Sequence, residues 1–166
     1  MSFRLRDTDR TLKLFITTFL IVLTIGYTIG LLFVDNTTSL NSRGIQQQFL
    51  GNEDSEVKQE FKYAKSAAEM YVFIHNHILS LAIVFFAIGG IFYFSSIVSE
   101  RMKRFLMVEP LIAVVTTFGG IALVRFASPI FSWLVLASGL SLFLCYAAMV
   151  YFIIKELWTS TPTGML

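Results

Sequence analysis

Residues 71–98 read YVFIHNHILSLAIVFFAIGGIFYFSSIV, a run of 28 residues that contains no Asp, Glu, Lys or Arg. A helix rises about 1.5 Å per residue, so about 20 residues already cross a hydrocarbon core of about 30 Å. Backbone groups in lipid must pair with one another, which predicts a membrane-spanning helix for a run of this length. The surplus predicts that this helix is longer than the bilayer requires.

The rest of the chain follows the same pattern. Three further apolar runs are long enough to span a bilayer, namely residues 14–34, 105–124 and 130–154. Hydrophobic residues make up 55% of the chain and charged residues 14%, whereas a soluble domain usually has about 25% charged residues. The sequence therefore predicts an all-α integral membrane protein, a four-transmembrane-helix bundle. The short connections between the last three runs predict that these spans are antiparallel neighbours.

The segments between the apolar runs determine the expected orientation. Basic residues concentrate in segment 1–13 and in the 99–104 connection, whereas the 35–70 loop has six acidic and four basic residues. Loops rich in Lys and Arg stay on the cytoplasmic side of a membrane. We therefore expect both termini (1–13 and 155–166) in the cytoplasm and the 125–129 turn outside, as in a bacterial inner-membrane protein.

The outer loop is expected to change character near Asn52. Residues 36–52 show no helical period. Beyond them, apolar residues recur at spacings of four and three, as on one face of a helix: Val57, Phe61, Ala64, Ala68 and Tyr71. We predict a helix that begins at about residue 53, with Asn52 as its N-cap, and continues without a break into the second span. Lys65 and Glu69 are expected to form an ion pair on it.

Both histidines of the chain, His75 and His77, lie near the outer end of the second span. Polar side chains at membrane depth are costly, so they are candidates for function. Residues two apart on a helix point about 200° from each other. The two imidazoles are therefore expected to face different sides, and not to share one metal ion or one haem within a chain.

Small and polar residues predict where the helices approach one another in lipid. Asn76, Ser80 and Gly90 fall on one line of the second span. Glycines on the first and third spans offer the same close approach: Gly26, Gly30, Gly119 and Gly120. Most of these residues, together with Arg125 and the histidines, are expected in the outer half of the bundle.

Three interpretations of this outer half stay open. An imidazole can ligate haem b or bind a quinone, and Arg125 can pair with a propionate, so His75, His77 and Arg125 are candidate cofactor-binding residues. Glu69 and Met70, with the histidines, offer copper or zinc ligands, although the helix geometry opposes a joint site. The third interpretation is that these residues only pack helices or subunits together.

Glu109, which precedes Pro110, lies about one turn into the third span. The basic 99–104 connection is close to it in sequence. A single acid near the interface usually reaches water or a neighbouring cation, so we expect Glu109 to pair with Lys103 or Arg104. The functional alternative is a role in a proton or cation step.

The sequence contains no phosphate-binding loop, nucleophile elbow or metalloprotease motif, and we expect no catalytic activity from the chain on its own. Its net charge of +2 gives no indication of nucleic-acid binding. A small oligomeric transporter or channel stays open as a further hypothesis, although few polar residues align to line a pore. In outline the architecture resembles the small haem-bearing subunits of respiratory membrane complexes, which implies an electron-transfer assembly. The leading hypothesis is an accessory or anchoring subunit of a larger membrane complex. Its partners in the lipid bilayer would be other subunits or further copies of itself.

Overall fold

The computed structural model describes residues 4–52 and 61–159. Over these residues the chain forms five α-helices: α1 (Arg10–Thr38), α2 (Ser42–Leu50), α3 (Ala67–Phe92), α4 (Glu100–Phe126) and α5 (Ser132–Trp158). Short 3-10 turns at Leu5–Asp7 and Pro129–Phe131 precede α1 and α5. All of the helices except α2 are long and apolar enough to cross a membrane. The predicted all-α, four-span architecture is therefore confirmed.

Capping side chains explain where four of the helices begin. The side chains of Asp9, Asn41, Ser66 and Ser99 each accept a hydrogen bond from a backbone N–H in the first turn of the helix that follows. These N–H groups have no partner inside their own helix, so a short polar side chain immediately before the helix stabilises its start. We call the end of the molecule with α2 the α2 end, and the end with residues 4–9 and the end of α5 the terminal end.

The helix predicted from about residue 53 differs from what is observed. Residues 53–60 lie outside the described residues, and residues 61–66 are not helical. Helix α3 begins after Ser66, whose Oγ accepts from the Glu69 N–H at 3.3 Å while the Glu69 carboxylate accepts from the Ser66 N–H at 2.8 Å. This capping box fixes the start of the helix, although the apolar period extends before it. The predicted ion pair between Lys65 and Glu69 is present at 3.8 Å.

Residues 36–52 are more helical than predicted. Helix α1 continues to Thr38, and α2 follows after three residues. The signal for α2 is Asn41 as N-cap, with Ile45 and Phe49 four apart and both buried. Because α2 has only these two buried large side chains and contains Gly44, its sequence lacks the long apolar period that would predict a helix.

The second span also ends earlier than predicted. Helix α3 stops at Phe92, and residues 93–99 form the connection to α4. With 26 residues, α3 is shorter than α1, α4 and α5 and is not the longest span. At about 39 Å it is still longer than a hydrocarbon core of about 30 Å requires. The cause lies in α5, where the buried Glu156 carboxylate accepts from Ser95 Oγ at 2.6 Å, Ser96 N–H at 2.8 Å and Ser96 Oγ at 2.7 Å. These bonds hold the chain in a turn where the apolar sequence alone would continue the helix.

Helices α3, α4 and α5 form the packed part of the bundle, as their short connections predicted. Their shared core consists of large apolar side chains, among them Phe85, Phe92, Val114 and Met149, each at most 1% exposed. Gly120 lies where α4 meets α5, and a Cβ there would stand 3.0 Å from Val135 Cγ2. Close packing of this kind drives helix association in lipid, because apolar burial there gains little over contact with acyl chains.

Helix α1 lies at the periphery of this bundle. In its most apolar stretch 11% of the residues are buried within the chain, against 44% in α4. It contacts α5 through Tyr27, whose ring stacks on that of Tyr146 with 4.2 Å between centroids. The Thr24 hydroxyl forms a hydrogen bond with the Tyr146 hydroxyl at 2.9 Å. The Thr17 hydroxyl accepts one from Trp158 Nε1 at 3.1 Å. The half of α1 nearer the α2 end leaves most of its side chains exposed.

The turn between α1 and α2 requires a glycine at position 44. A Cβ at Gly44 would overlap the backbone carbonyl of Thr38, and that backbone cannot move without opening the turn. We expect Gly44→Ala to lower the free energy of unfolding by about 1–3 kcal/mol. Thermal unfolding in mild detergent, followed by circular dichroism, measures this. The control is Gly30→Ala, which would meet nothing within 4 Å and is expected to be neutral or slightly stabilising. Equal effects of the two substitutions would contradict the close approach.

The Glu156 carboxylate provides a second test. Glu156→Ala removes the acceptor of the buried Ser95 hydroxyl and of the Ser96 N–H, so we expect a loss of about 1–3 kcal/mol in the same unfolding measurement. The control is Glu100→Ala, because that carboxylate is 82% exposed and pairs only with Lys103. Its loss is expected to stay below about 1 kcal/mol. A Glu156 variant as stable as the Glu100 variant would show that the carboxylate does not hold the turn.

Candidate functional site

His77 lies in an aromatic cluster at the α2 end. Its ring centroid is 4.2 Å from that of Phe73 on the same helix and 5.0 Å from that of Phe118 on α4. The Nδ1 atom is 2.8 Å from the Phe73 carbonyl oxygen. A carbonyl only accepts, so Nδ1 carries a proton and donates it in this bond. In the neutral ring, Nε2 then has the free lone pair.

His75 faces a different side of α3. It is exposed, whereas His77 is partly buried against α4. This agrees with the prediction that two histidines so spaced on one helix do not converge. Of the other proposed metal ligands, Met70 is buried and the Glu69 carboxylate bonds to the Ser66 N–H. No group of three or more His, Cys, Asp or Glu side chains within residues 4–52 and 61–159 is placed to hold a metal ion.

Helix α2 covers the end of the bundle beside this cluster. Phe49 reaches down from α2, with its ring centroid 5.7 Å from that of Phe73. On the other side of α2, Ser42 Oγ lies 2.6 Å from Ser132 Oγ at the start of α5. The Gln46 amide donates to the same Ser132 hydroxyl at 3.1 Å. Helix α2 is therefore bonded to α5, packs on α4 and contacts α3 through Phe49, so it covers the aromatic cluster at the α2 end.

Arg125 anchors the segment that leads into α3. Its Nε donates to the Lys65 carbonyl at 2.6 Å, and the guanidinium lies over the Phe126 ring at 5.4 Å. The Lys65 N–H in turn donates to the Phe49 carbonyl at 3.1 Å. Arg125 thus links the end of α4, through this segment, to the end of α2.

The predicted packing residues divide into two groups. Gly120 packs between α4 and α5. A Cβ added at any of the other predicted glycines would meet no described atom within 4 Å: Gly26, Gly30, Gly90 and Gly119. Asn76, Ser80 and Gly90, which form the predicted stripe, are all exposed in the described chain. Helix α3 instead buries the bulky side chains of Phe85 and Ile88 and the backbone of Gly89, which lies beside Met107 of α4. What the exposed stripe contacts outside the chain stays a prediction.

Sequence reasoning misplaced one polar residue of the bundle interior. Glu109 was expected to pair with Lys103 or Arg104, but Lys103 bonds to Glu100 at 3.0 Å. The Glu109 carboxylate turns toward α5, where it accepts from Ser141 Oγ and, at 3.1 Å, from Cys145 Sγ. The available signal was the spacing of Ser141 and Cys145, one turn apart on the face of α5 that meets α4.

This geometry limits the chemistry available to His77. A quinone carbonyl needs a donor, and the neutral ring donates its single proton to Phe73. Nε2 fits instead the role of an axial haem ligand, because ligating histidines usually donate their other nitrogen to a carbonyl that orients the ring. The described part of the chain contributes one such ligand at this place.

The aromatic environment of His77 predicts unequal effects of the two histidines on stability. We expect His77→Ala to lower the free energy of unfolding by about 1 kcal/mol, because two ring contacts and one hydrogen bond are lost. His75→Ala is the matched control on the same helix, and it is expected to change stability by less than about 0.5 kcal/mol. Thermal unfolding in one detergent compares them. A larger loss for His75→Ala would contradict the packing described above.

Comparison with known proteins identifies the class of domain. A family model described as a transmembrane helical domain, Aq_1264_TM, matches residues 39–164. No curated protein and no solved structure matches the chain. The matched region begins at the end of α1 and includes α2, α3, α4 and α5. Because the match extends over about three quarters of the 166 residues, the chain belongs to this family of transmembrane helical domains.

Proposed function

We propose that the chain is an accessory or anchoring subunit of a larger membrane assembly, joined to its partner through the exposed stripe of α3. The observation that carries the proposal is Asn76, an exposed amide on a membrane helix. It lies nine residues into α3, about 13.5 Å from the helix start. The helix is about 39 Å long and the hydrocarbon about 30 Å thick, so Asn76 lies inside the apolar layer.

An amide side chain needs hydrogen-bond partners that lipid cannot supply. No hydrogen bond to the Asn76 side chain comes from the residues that the structure describes. One turn further along, the Ser80 hydroxyl donates a hydrogen bond to the backbone carbonyl of Asn76 at 2.7 Å, so the hydroxyl has a partner within its own helix. Across a helix–helix interface, small residues beside an amide allow close approach and an interhelical hydrogen bond. Asn76, Ser80 and Gly90 have this composition.

Helix α1 supports the same proposal independently. It is the least buried span, and the family match begins only at residue 39. Its exposed Gly26 and Gly30 are spaced for close contact with another helix. Because α1 buries few side chains in its own bundle, most of its surface is available for contact with a neighbouring subunit.

The proposed subunit has both termini in the cytoplasm of a cell with a bacterial-type inner membrane. Basic residues cluster at the terminal end, in segment 4–13 and at the start of α4, and this distribution is typical of the cytoplasmic side. The α2 end then faces the outside of the cell.

Site-specific photocrosslinking in native membranes tests the assembly. A photoreactive residue in place of Asn76 is expected to form a protein adduct of defined mass. The control position is Leu144 on α5, an apolar side chain that is 56% exposed, and it is expected to label lipid. Mass spectrometry of the adduct distinguishes another subunit from a second copy of the chain. Lipid labelling at both positions would overturn the proposal.

A matched pair of substitutions tests the stripe in the assembled state. Asn76→Leu is expected to reduce the apparent mass on a native gel of mildly solubilised membranes, because the interhelical bond is lost. Leu144→Ile should leave the mass unchanged. A wild-type chain that migrates as a monomer at every detergent concentration would contradict the assembly.

A second candidate function is haem b ligation by His77, favoured by the orientation of its ring on the Phe73 carbonyl. The second axial ligand would come from the partner subunit. A reduced-minus-oxidised absorption spectrum of the purified assembly tests it. We expect an α band that His77→Ala abolishes and His75→Ala preserves; no band in the wild type would remove haem.

A further inference from the structure

Glu109 lies in the interface between α4 and α5, partly buried. Both of its carboxylate oxygens are engaged from α5, Oε1 by the Ser141 hydroxyl and Oε2 by the Cys145 thiol at 3.1 Å. The two donors are one turn apart, so they hold the carboxylate against a single face of α5. This arrangement is separate from the His77 cluster and from the exposed stripe of α3.

The carboxylate lies within the apolar layer. Glu109 is nine residues from the start of α4, about 13.5 Å along the axis, and about 7.5 Å beyond Arg104. Ser141 and Cys145 lie about 21 Å and 15 Å before Lys155 along α5. Ionisable side chains at such depth are costly and usually mark proton or ion sites.

The ionisable groups around Glu109 supply no positive charge. Helix α5 presents Cys145 and Tyr146, and α1 presents Tyr27, stacked on Tyr146. Helix α3 contacts this part of α4 through Gly89, beside Met107, and has no ionisable side chain between His77 and Tyr93. On α4 itself, Lys103 bonds to Glu100. Among the described residues, no Lys, Arg or His is within ion-pair distance of Glu109.

Two opposing effects therefore act on this carboxyl group. Removal from water without a cation disfavours the charged form. Hydrogen bonds from Ser141 and Cys145 favour it, since a charged acceptor strengthens them. Ser141 also suits the neutral form, because its hydroxyl can turn and accept from a protonated Oε1. The site offers hydrogen-bond partners to both protonation states.

We propose that Glu109 is a reversible proton-binding site inside the bilayer. On uptake, a hydronium ion from the aqueous phase at the terminal end transfers its proton to a carboxylate oxygen, an O–H bond forms, and water is released. On release the same bond breaks, and Ser141 and Cys145 again donate to the ionised group. A proton is the ligand because an alkali or alkaline-earth cation needs about six oxygen ligands, whereas one hydroxyl and one soft thiol accompany the carboxylate here.

Infrared difference spectroscopy of the full chain in phosphatidylcholine vesicles tests this proposal. Between about pH 4 and pH 9, we expect the carbonyl band of a protonated carboxylic acid to grow as the pH falls and to shift in D₂O. Ordinary Asp and Glu carboxyl groups also begin to protonate near pH 4, so the test is the component of the band that Glu109→Gln removes and the exposed Glu100→Gln keeps. If no pH-dependent component of the wild-type band is missing in Glu109→Gln, the proposal is overturned.

A second variant keeps the test independent of how well Glu109→Gln folds. Ser141→Ala removes a hydrogen bond that is stronger to the ionised group than to the neutral one. Proton binding should therefore tighten by up to about tenfold, and the midpoint of the band should move to higher pH. Ser138→Ala is the matched control, since that hydroxyl bonds to Thr117 at 2.8 Å on the same interface. No shift in Ser141→Ala, or a wild-type midpoint that moves with sodium concentration at constant ionic strength, would contradict a proton site.

Discussion

Helix α4 packs against two helices at once, α3 and α5, and the packed part of the bundle depends on these two interfaces. Its side chains pack on α3 and on α5, so it is the most buried span. In lipid, apolar burial contributes little to association, and close packing with a few polar contacts must hold helices together. The interface between α4 and α5 has both: close packing where Gly120 meets Val135, and a polar contact where the Thr117 hydroxyl donates to Ser138 Oγ at 2.8 Å.

The hydrophobic runs predicted the number, type and order of the spans, because a bilayer demands about 20 apolar residues and paired backbone groups. They did not predict where helices end. Ser66 with Glu69 starts α3 later than the apolar period suggests, and Glu156 ends it earlier, 61 residues away from Ser95 in the chain. A contact between distant segments has no signature in a local pattern, and the same is true of Glu109 with α5.

The candidate site shows the same limit. Helix geometry predicted that His75 and His77 face different sides, since that follows from 3.6 residues per turn alone. It could not predict which face of α3 meets α4. Small residues suggested the stripe with Asn76, whereas within the chain the bulkier face with Phe85 and Ile88 is buried. Small residues allow close approach but do not say which helix approaches, so one sequence cannot separate contacts within a chain from contacts between chains.

The bond between Glu156 and the 93–99 connection has a consequence for the order of biogenesis. The two serines are synthesised well before the carboxylate that accepts their hydrogen bonds, and α4 with nearly all of α5 must follow them into the membrane first. Until then, the hairpin of α3 and α4 has a turn whose donors can be satisfied only by water. The last helix therefore closes the terminal end of the fold when it arrives. A ribosome paused before residue 156 would hold a hairpin that is inserted but not yet locked.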